Sequence, residues 1–104
     1  MMIYNILDEN NSVVVKIEDR LTYSDYGSFR QVTDAIGQTE CESCILDLTK
    51  LDFIDSAGLG MLLLARDKSQ ERQCSISLRN ASGQVRKMID LGRFDSLFKI
   101  INNN

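Results

Sequence analysis

The sequence contains no histidine, no tryptophan and no proline in its 104 residues. Histidine is the commonest general base near neutral pH and the commonest metal ligand. Most hydrolytic and metal-dependent chemistry would therefore have to proceed without its usual groups. We expect a protein that is not an enzyme and that has no catalytic residue, no cofactor and no bound metal.

Long apolar runs and clusters of basic residues are also missing. The longest apolar run is Met61 to Ala65, whereas a membrane-spanning helix needs about 20 such residues. The N-terminus does not have the pattern of a signal peptide. The formal net charge is −3, with lysine and arginine scattered along the chain, whereas a nucleic-acid-binding protein normally carries a clustered basic face. We expect a cytoplasmic protein that neither inserts into a membrane nor binds nucleic acid.

The three cysteines include one C-x-x-C pair, Cys41 and Cys44, with Cys74 further along the chain. A structural zinc site requires four ligands, and three thiols without histidine do not supply them. A redox-active C-x-x-C pair usually lies at the start of a helix, whereas this pair precedes a predicted strand. We expect buried or inactive reduced thiols.

Three aspartates, Asp47, Asp52 and Asp55, lie within a short stretch and leave a magnesium site open as an alternative. The absence of further ligands favours ordinary turn and cap roles for them.

Apolar periodicity and turn residues predict alternating strands and helices. Asp8 to Asn11 form a predicted turn, so the first two strands should be antiparallel neighbours. Ser24 or Asp25 is expected to cap the first helix, which Gly37 should end, and Ser82 to cap the third. The predicted strands are 3–7, 13–17, 45–48, 75–78 and 97–101; the predicted helices are about 23–36, 56–71 and 83–91.

This order, β-β-α-β-α-β-α-β, predicts one α/β domain over residues 1–104. Strands that alternate with helices after one hairpin indicate a mixed sheet with right-handed crossovers and helices packed on it.

The most informative stretch runs from Asp55 to Gly60, where the second helix is predicted to begin. Ser56 is placed to cap this helix by accepting a hydrogen bond from a nearby amide. Gly58 and Gly60 each cost a helix about 0.5–1 kcal/mol relative to alanine. That cost is easier to explain if another backbone or a partner approaches closely.

The apolar run that follows cannot all face one sheet, because successive helical residues turn by about 100°. A buried stripe of Leu59, Leu62 and Leu63 leaves Met61 and Leu64 outside, and a stripe of Met61, Leu62 and Ala65 still leaves Leu64 outside. An apolar patch beside a helix N-terminus is typical of a partner-binding site. Periodicity and propensity alone nevertheless favour a plain cap at Ser56 and a solitary exposed leucine.

The stretch Asp55-Ser56-Ala57-Gly58-Leu59-Gly60, preceded by Ile45-Leu46-Asp47-Leu48 and Phe53-Ile54, resembles the signature of STAS domains, the family of bacterial anti-sigma factor antagonists. The segment Gly92 to Ile100 resembles the entry to the final strand of that family. The similarity in element order extends from about residue 3 to residue 101.

This resemblance implies a regulatory protein-binding domain. It implies that Ser56 is phosphorylated by a serine kinase, often the anti-sigma-type regulator that the unmodified domain binds, and that a cognate phosphatase resets it. The residues implied or expected to contact the partner are Asp55, Ser56, Ala57, Gly58, Gly60, Met61, Leu64 and Asp25.

The chain departs from the family pattern at three places. Ala57 stands where many relatives have a second hydroxyl residue, which leaves Ser56 as the only candidate in the motif. Thr22 follows Leu21 where relatives often have aspartate, so Asp25 is the nearest substitute in sequence. The family usually ends in a further helix, which we expect to be missing here because the sequence stops at Asn104; such an absence would favour self-association or a different partner.

Two further readings stay open. One is a non-switching subunit of a cytoplasmic complex such as a lipid-transport ABC ATPase, whose STAS subunits the motif also resembles. The other is a small-molecule or nucleotide sensor, which predicts a sizeable pocket. One position open to Tyr23 and Tyr26 is the same surface as Ser56, but packing in the core or at its rim is the favoured role.

Overall fold

The computed structural model describes residues 1–38, 40 and 42–102. Within these residues the chain forms one six-stranded mixed sheet and three α-helices. The strands are β1 Met2–Glu9, β2 Ser12–Leu21, β3 Ser43–Asp47, β4 Leu51–Ile54, β5 Ser75–Arg79 and β6 Lys99–Ile101. The helices are α1 Tyr26–Gln38, α2 Ser56–Glu71 and α3 Gly83–Leu91, and two short 3-10 turns cover Tyr23–Asp25 and Phe94–Ser96.

The first hairpin is confirmed, with strands longer than predicted and a tighter turn. β1 and β2 pair antiparallel without interruption from Met2 opposite Asp19 to Glu9 opposite Ser12. Asn10 and Asn11 alone form the turn, with φ of 49° and 67°. Asparagine tolerates this left-handed conformation, and two such residues match the twist of the flanking strands.

Strand β4 was not predicted from the sequence. β2 pairs in parallel with β3 through Ser12–Lys16 and then with β4 through Asp19–Leu21, and the β2–β4 pairing contains a register shift between Asp19 and Arg20. β4 has only four residues, too few for a period-two pattern to stand out. The observed order is therefore β-β-α-β-β-α-β-α-β, while the predicted class of mixed α/β sheet is confirmed.

The core lies between the sheet and its helices. The sheet order β1-β2-β3-β5-β6 advances in one direction, and right-handed crossovers that advance in one direction place all their helices on the same face. Alternate strand residues contribute to the main buried cluster there: Met2, Val13, Val15, Ile17, Cys44, Leu46, Ile76 and Leu78.

The opposite face is closed locally by one long side chain. Arg79 on β5 bonds Asp47 on the adjacent β3 at 3.0 Å and lies 3.9 Å from Glu9 on β1, which is two strands further away. Its guanidinium therefore extends over the intervening sheet, and Val14 on β2 is fully buried although it lies outside the main cluster.

Several predicted boundaries are wrong. α1 begins at Tyr26 and continues to Gln38, past Gly37, and Thr22 occupies the cap position of the preceding turn. Ser82 does hold the cap position of α3, but its side chain makes no cap bond. Residues 97–98 do not join the last strand, because Phe98 turns inward and stacks on Phe94 at 5.5 Å.

The cysteine predictions are partly tested. Cys44 and Cys74 are buried as expected, whereas Cys41 lies outside the described residues. None of the described helices is long and apolar enough to cross a membrane, and β6 is the last element before the described chain ends at Asn102.

Candidate functional site

The start of α2 is capped by Asp55, and not by Ser56 as predicted. One carboxylate oxygen of Asp55 accepts a hydrogen bond from the Gly58 amide at 2.7 Å, and the other accepts from the Tyr23 amide at 3.1 Å. The Asp55 amide itself donates to the Leu21 carbonyl at 3.3 Å. Asp55 therefore fixes the start of α2 against the end of β2 and the turn that precedes α1.

Ser56 occupies the first position of α2 and is exposed. Among the residues that the structure describes, its hydroxyl has no recorded hydrogen bond, because Asp55 already performs the capping role. A serine at this position has an accessible nucleophilic oxygen at the positive end of a 16-residue helix.

The two glycines of the motif have different surroundings. A Cβ atom added to Gly58 would lie 2.3 Å from the Leu21 carbonyl oxygen and 2.6 Å from Ile54. The backbone that approaches Gly58 closely is therefore that of β2 in the same chain. A Cβ atom added to Gly60 would meet nothing within 4 Å, so the space beside Gly60 is open.

Asp25 lies inside the molecule, although the sequence analysis placed it at the partner-binding surface. It is 3% exposed and accepts hydrogen bonds at 2.9 Å from the amides of Met2 and Thr22. Burial by itself raises the pKa of the Asp25 carboxyl group, but the Met2 and Thr22 amides, the N-terminal charge and the Thr22 hydroxyl together hold the pKa below its ordinary value. Asp25 thus supports the turn below Tyr23 instead of presenting its charge to solvent.

Gln84 is a supporting residue that the sequence analysis missed. Its side-chain amide donates to the Ile54 carbonyl at 2.8 Å and accepts from the Ile54 amide at 3.0 Å. This pair of bonds satisfies the backbone of β4 immediately before Asp55. No sequence pattern marks Gln84 for this role, because the contact joins residues thirty positions apart.

Of the two buried stripes considered for α2, the second one, which contains Met61, is observed. Met61, Leu62 and Ala65 are buried, and Leu64 is 42% exposed. Leu64 therefore lies outside the core in agreement with both readings. Met61 was expected to contact the partner, but it is only 1% exposed. It lies at the base of a groove between α1 and α2.

That groove has a volume of about 410 Å³ and runs along α2 from Met61 to Glu71, beyond the first turn that carries Ser56. Its apolar part is lined by Tyr26, Phe29, Met61 and Leu64, and its charged part by Arg30, Asp67, Lys68 and Glu71. Tyr26 is 62% exposed and Tyr23 is 77% exposed, so both tyrosines project more than their expected packing role requires.

Two of the three aspartates weighed as a magnesium site, Asp47 and Asp55, have other partners. Asp47 binds Arg79 at 3.0 Å and both the amide and the hydroxyl of Thr49. Burial raises the pKa of the Asp47 carboxyl group, but Thr49 and Arg79 together lower it below the ordinary value. Within residues 1–38, 40 and 42–102, no three potential ligands of the His, Cys, Asp or Glu type form a cluster.

The comparisons with known proteins agree on one family. The sequence model of the STAS domain matches residues 4–104. A STAS-domain containing protein of Pseudomonas aeruginosa strain UCBPP-PA14 is 33% identical over 88% of this chain and 90% of that protein. The anti-sigma F factor antagonist of Paenibacillus polymyxa is 27% identical over 86% of this chain and 74% of that protein. The crystal structure of an anti-sigma factor antagonist from Mycobacterium paratuberculosis covers 97% of this chain and 86% of its own, with a TM-score of 0.85 at 18% identity.

Proposed function

The chain belongs to the STAS domain family, and on this premise we propose that it is a phosphorylatable regulatory binding protein of the anti-sigma factor antagonist type. In its unmodified form it binds a serine kinase of the anti-sigma regulator type. Phosphorylation of Ser56 by that kinase releases the complex, and a serine phosphatase restores binding. The protein acts by binding and not by catalysis, and its partners are cytoplasmic proteins.

The observation that carries this proposal is the division of labour between Asp55 and Ser56. Asp55 supplies the cap, so the Ser56 hydroxyl is exposed and is not needed for the start of the helix. A phosphoryl group on Ser56 therefore disrupts none of the hydrogen bonds that hold the start of α2. Modification can change binding while the folded structure is retained.

The expected effect on binding follows from charge. A phosphate adds about −1.5 to −2 units of charge near neutral pH. The N-terminus of α2 tolerates this charge in the free protein, where water also screens it. In a complex, the same charge would be desolvated beside the Asp55 carboxylate, and the resulting repulsion and desolvation cost disfavour the partner.

The proposed contact surface combines the exposed members of the motif with the outer side of α2. Ser56 lies at its centre, the open space beside Gly60 permits close approach, and Leu64 supplies apolar area. Asp55 and Ala57, both partly buried, border it. Gly58, Met61 and Asp25 act from below the surface, by close packing and by holding the turn.

The test uses two variants of Ser56. Ser56→Ala should retain binding to the kinase and abolish phosphorylation, whereas Ser56→Asp should weaken binding by introducing a permanent charge. Calorimetry with the purified kinase measures the first property, and mass spectrometry for an added mass of about 80 Da at Ser56 measures the second. Equal binding by both variants and the unmodified protein would contradict the switch.

Ser82→Ala is the matched control, because Ser82 is a serine at the start of another helix. It should leave both binding and phosphorylation unchanged. If phosphate appears on Ser82 instead of Ser56, the assignment of the switch residue is wrong.

The groove between α1 and α2 supports one second candidate, a small-molecule sensor. Its volume of about 410 Å³ falls within the range of about 300–1,000 Å³ typical of ligand pockets. A thermal-shift screen of nucleotides and amphiphilic metabolites tests this function, and a screen without stabilising compounds removes it.

A further inference from the structure

A second feature of the molecule, unconnected with Ser56, is the outer edge of the sheet formed by β1. β1 has eight residues and pairs with β2 on one side only, within the described part of the chain. Native edge strands are usually blunted by lysine, proline, a bulge or short length. β1 contains no lysine, arginine or proline, and its pairing with β2 shows no bulge.

The side chains of this strand leave apolar area uncovered. Ile3 is 58% exposed and Leu7 is 36% exposed, and both lie on the sheet face that carries no helix. Tyr4 and Ile6 point to the opposite face, where they are partly buried against the core. The strand therefore offers unpaired backbone groups together with apolar side chains on both faces.

The order of residues along β1 is self-complementary. In an antiparallel pair of two copies centred on Asn5, Ile3 of each copy lies opposite Leu7 of the other, and Tyr4 lies opposite Ile6. Each apolar residue thus meets an apolar residue, and Asn5 meets Asn5. A pairing of identical surfaces around a two-fold axis is the commonest form of homodimer.

The charges of the strand fit the same register. Asp8 and Glu9 are the only charged residues of β1 and lie at one end, so antiparallel pairing moves those of the two copies to opposite ends of the interface. The Met2 amide already donates to Asp25, which limits new backbone pairing to Ile3–Leu7. A register displaced toward Asp8 would instead bring like charges together.

We propose that β1 is a homodimerisation edge, at which Ile3–Leu7 pairs antiparallel with the same segment of a second copy and joins two sheets into one. The interface is small and leaves the Ser56 surface of each copy free. It predicts a weak dimer that forms at high concentration or where a partner brings two copies together.

The register is tested by cysteine cross-linking of the whole protein under mild oxidation. In the proposed pair the two Asn5 residues are directly opposed, at about 4.5–5.5 Å between Cα atoms, within reach of a disulfide. The two Asp8 residues are then about 20 Å apart along the strands. Asn5→Cys should give a disulfide-linked dimer on a non-reducing gel, and Asp8→Cys, which is also exposed, should give no more than the unmodified protein does.

Charge variants provide a second test in solution by sedimentation equilibrium. Ile3→Lys/Leu7→Lys places like charges opposite each other across the axis and should abolish the dimer. Ile3→Lys/Leu7→Glu places opposite charges there and should restore it relative to the double lysine variant. Leu91→Lys, at an 80% exposed site at the end of α3, should have no effect.

Equal cross-linking of Asn5→Cys and Asp8→Cys would overturn the proposed register. A monomer at every concentration up to about 1 mM, where only very weak association is left undetected, would overturn the dimer itself. Both results leave the Ser56 switch untouched, because no residue of β1 belongs to that surface.

Discussion

A serine and a glycine lie near the start of both α2 and α3, yet the two serines are in different positions. At α3, Ser82 holds the cap position without a cap bond, and the third residue of the start, Gln84, is bonded to the backbone of Ile54. At α2, Asp55 holds the cap position, and Ser56, the first residue of the helix, is exposed to solvent. The difference shows that the start of α3 supports β4, whereas the start of α2 presents a hydroxyl group.

Among the residues at the starts of α2 and α3, Gly58 should give the largest loss of stability when it is substituted. Gly58→Ala places a methyl group 2.3 Å from the Leu21 carbonyl oxygen, an overlap that only a backbone shift relieves. We expect a loss of about 1–3 kcal/mol in the free energy of unfolding, or more, measured by urea denaturation. Gly60→Ala is the matched control, since open space and helical propensity predict unchanged or slightly increased stability.

If Gly58→Ala is as stable as the unmodified protein, the close packing of α2 on β2 is wrong. If Gly60→Ala loses binding to the kinase while it stays folded, the open space beside Gly60 belongs to the partner surface.

The next effect compares the two caps directly. Asp55→Ala removes the acceptor of the Gly58 and Tyr23 amides and should lower the free energy of unfolding by about 1–2 kcal/mol. Ser82→Ala removes a side chain without a cap bond and should change stability by less than about 0.5 kcal/mol. Thermal unfolding of the two variants side by side measures both, and equal losses would contradict the assignment of the capping role to Asp55.

The smallest expected effect is the pH dependence of stability that comes from the two buried aspartates, Asp25 and Asp47. Asp25 and Asp47 have pKa values below that of an unfolded aspartate, about 3.9. Between the folded and unfolded pKa values, the unfolded chain binds more protons. The stabilisation from these two groups is therefore complete above about pH 5 and is lost as the pH falls through the folded-state pKa values.

Urea midpoints measured at successive pH values below about 5 check this dependence. Asp25→Asn retains an oxygen acceptor but no titrating group, so it should be less stable at neutral pH and lose less stability on acidification. A parallel decline in both proteins would contradict the role given to Asp25.

The sequence predicted the features that depend on periodicity and single-residue chemistry. The first hairpin and the exposure of Leu64 follow from turn residues and spacing, because each depends on one short segment of the chain. The predicted bounds of the second helix, about 56–71, are also confirmed. The prediction that the chain has the STAS fold rested on the motif around Ser56, and the comparisons confirm it.

The errors concern choices that tertiary contacts decide. Asp55 and Ser56 are adjacent and both are good cap residues, and the hydrogen bond that the Gly58 amide donates to Asp55 shows which of them caps the helix. The bond from the Tyr23 amide is the tertiary contact that holds Asp55 in this position. Asp25 is polar and was placed at the surface, but two backbone amides satisfy it in the interior. Strand β4 and Gln84 escaped notice because each is defined by a partner distant in sequence.

The most direct test of the central claim compares one protein sample before and after modification. The purified kinase is titrated with unmodified protein, with protein phosphorylated at Ser56, and with the same sample after treatment with a serine phosphatase. We predict that phosphorylation weakens binding by at least about tenfold, or about 1.4 kcal/mol, that dephosphorylation restores it, and that the circular dichroism spectrum stays unchanged. Equal affinity of the phosphorylated and unmodified forms would contradict the claim that Ser56 is the switch.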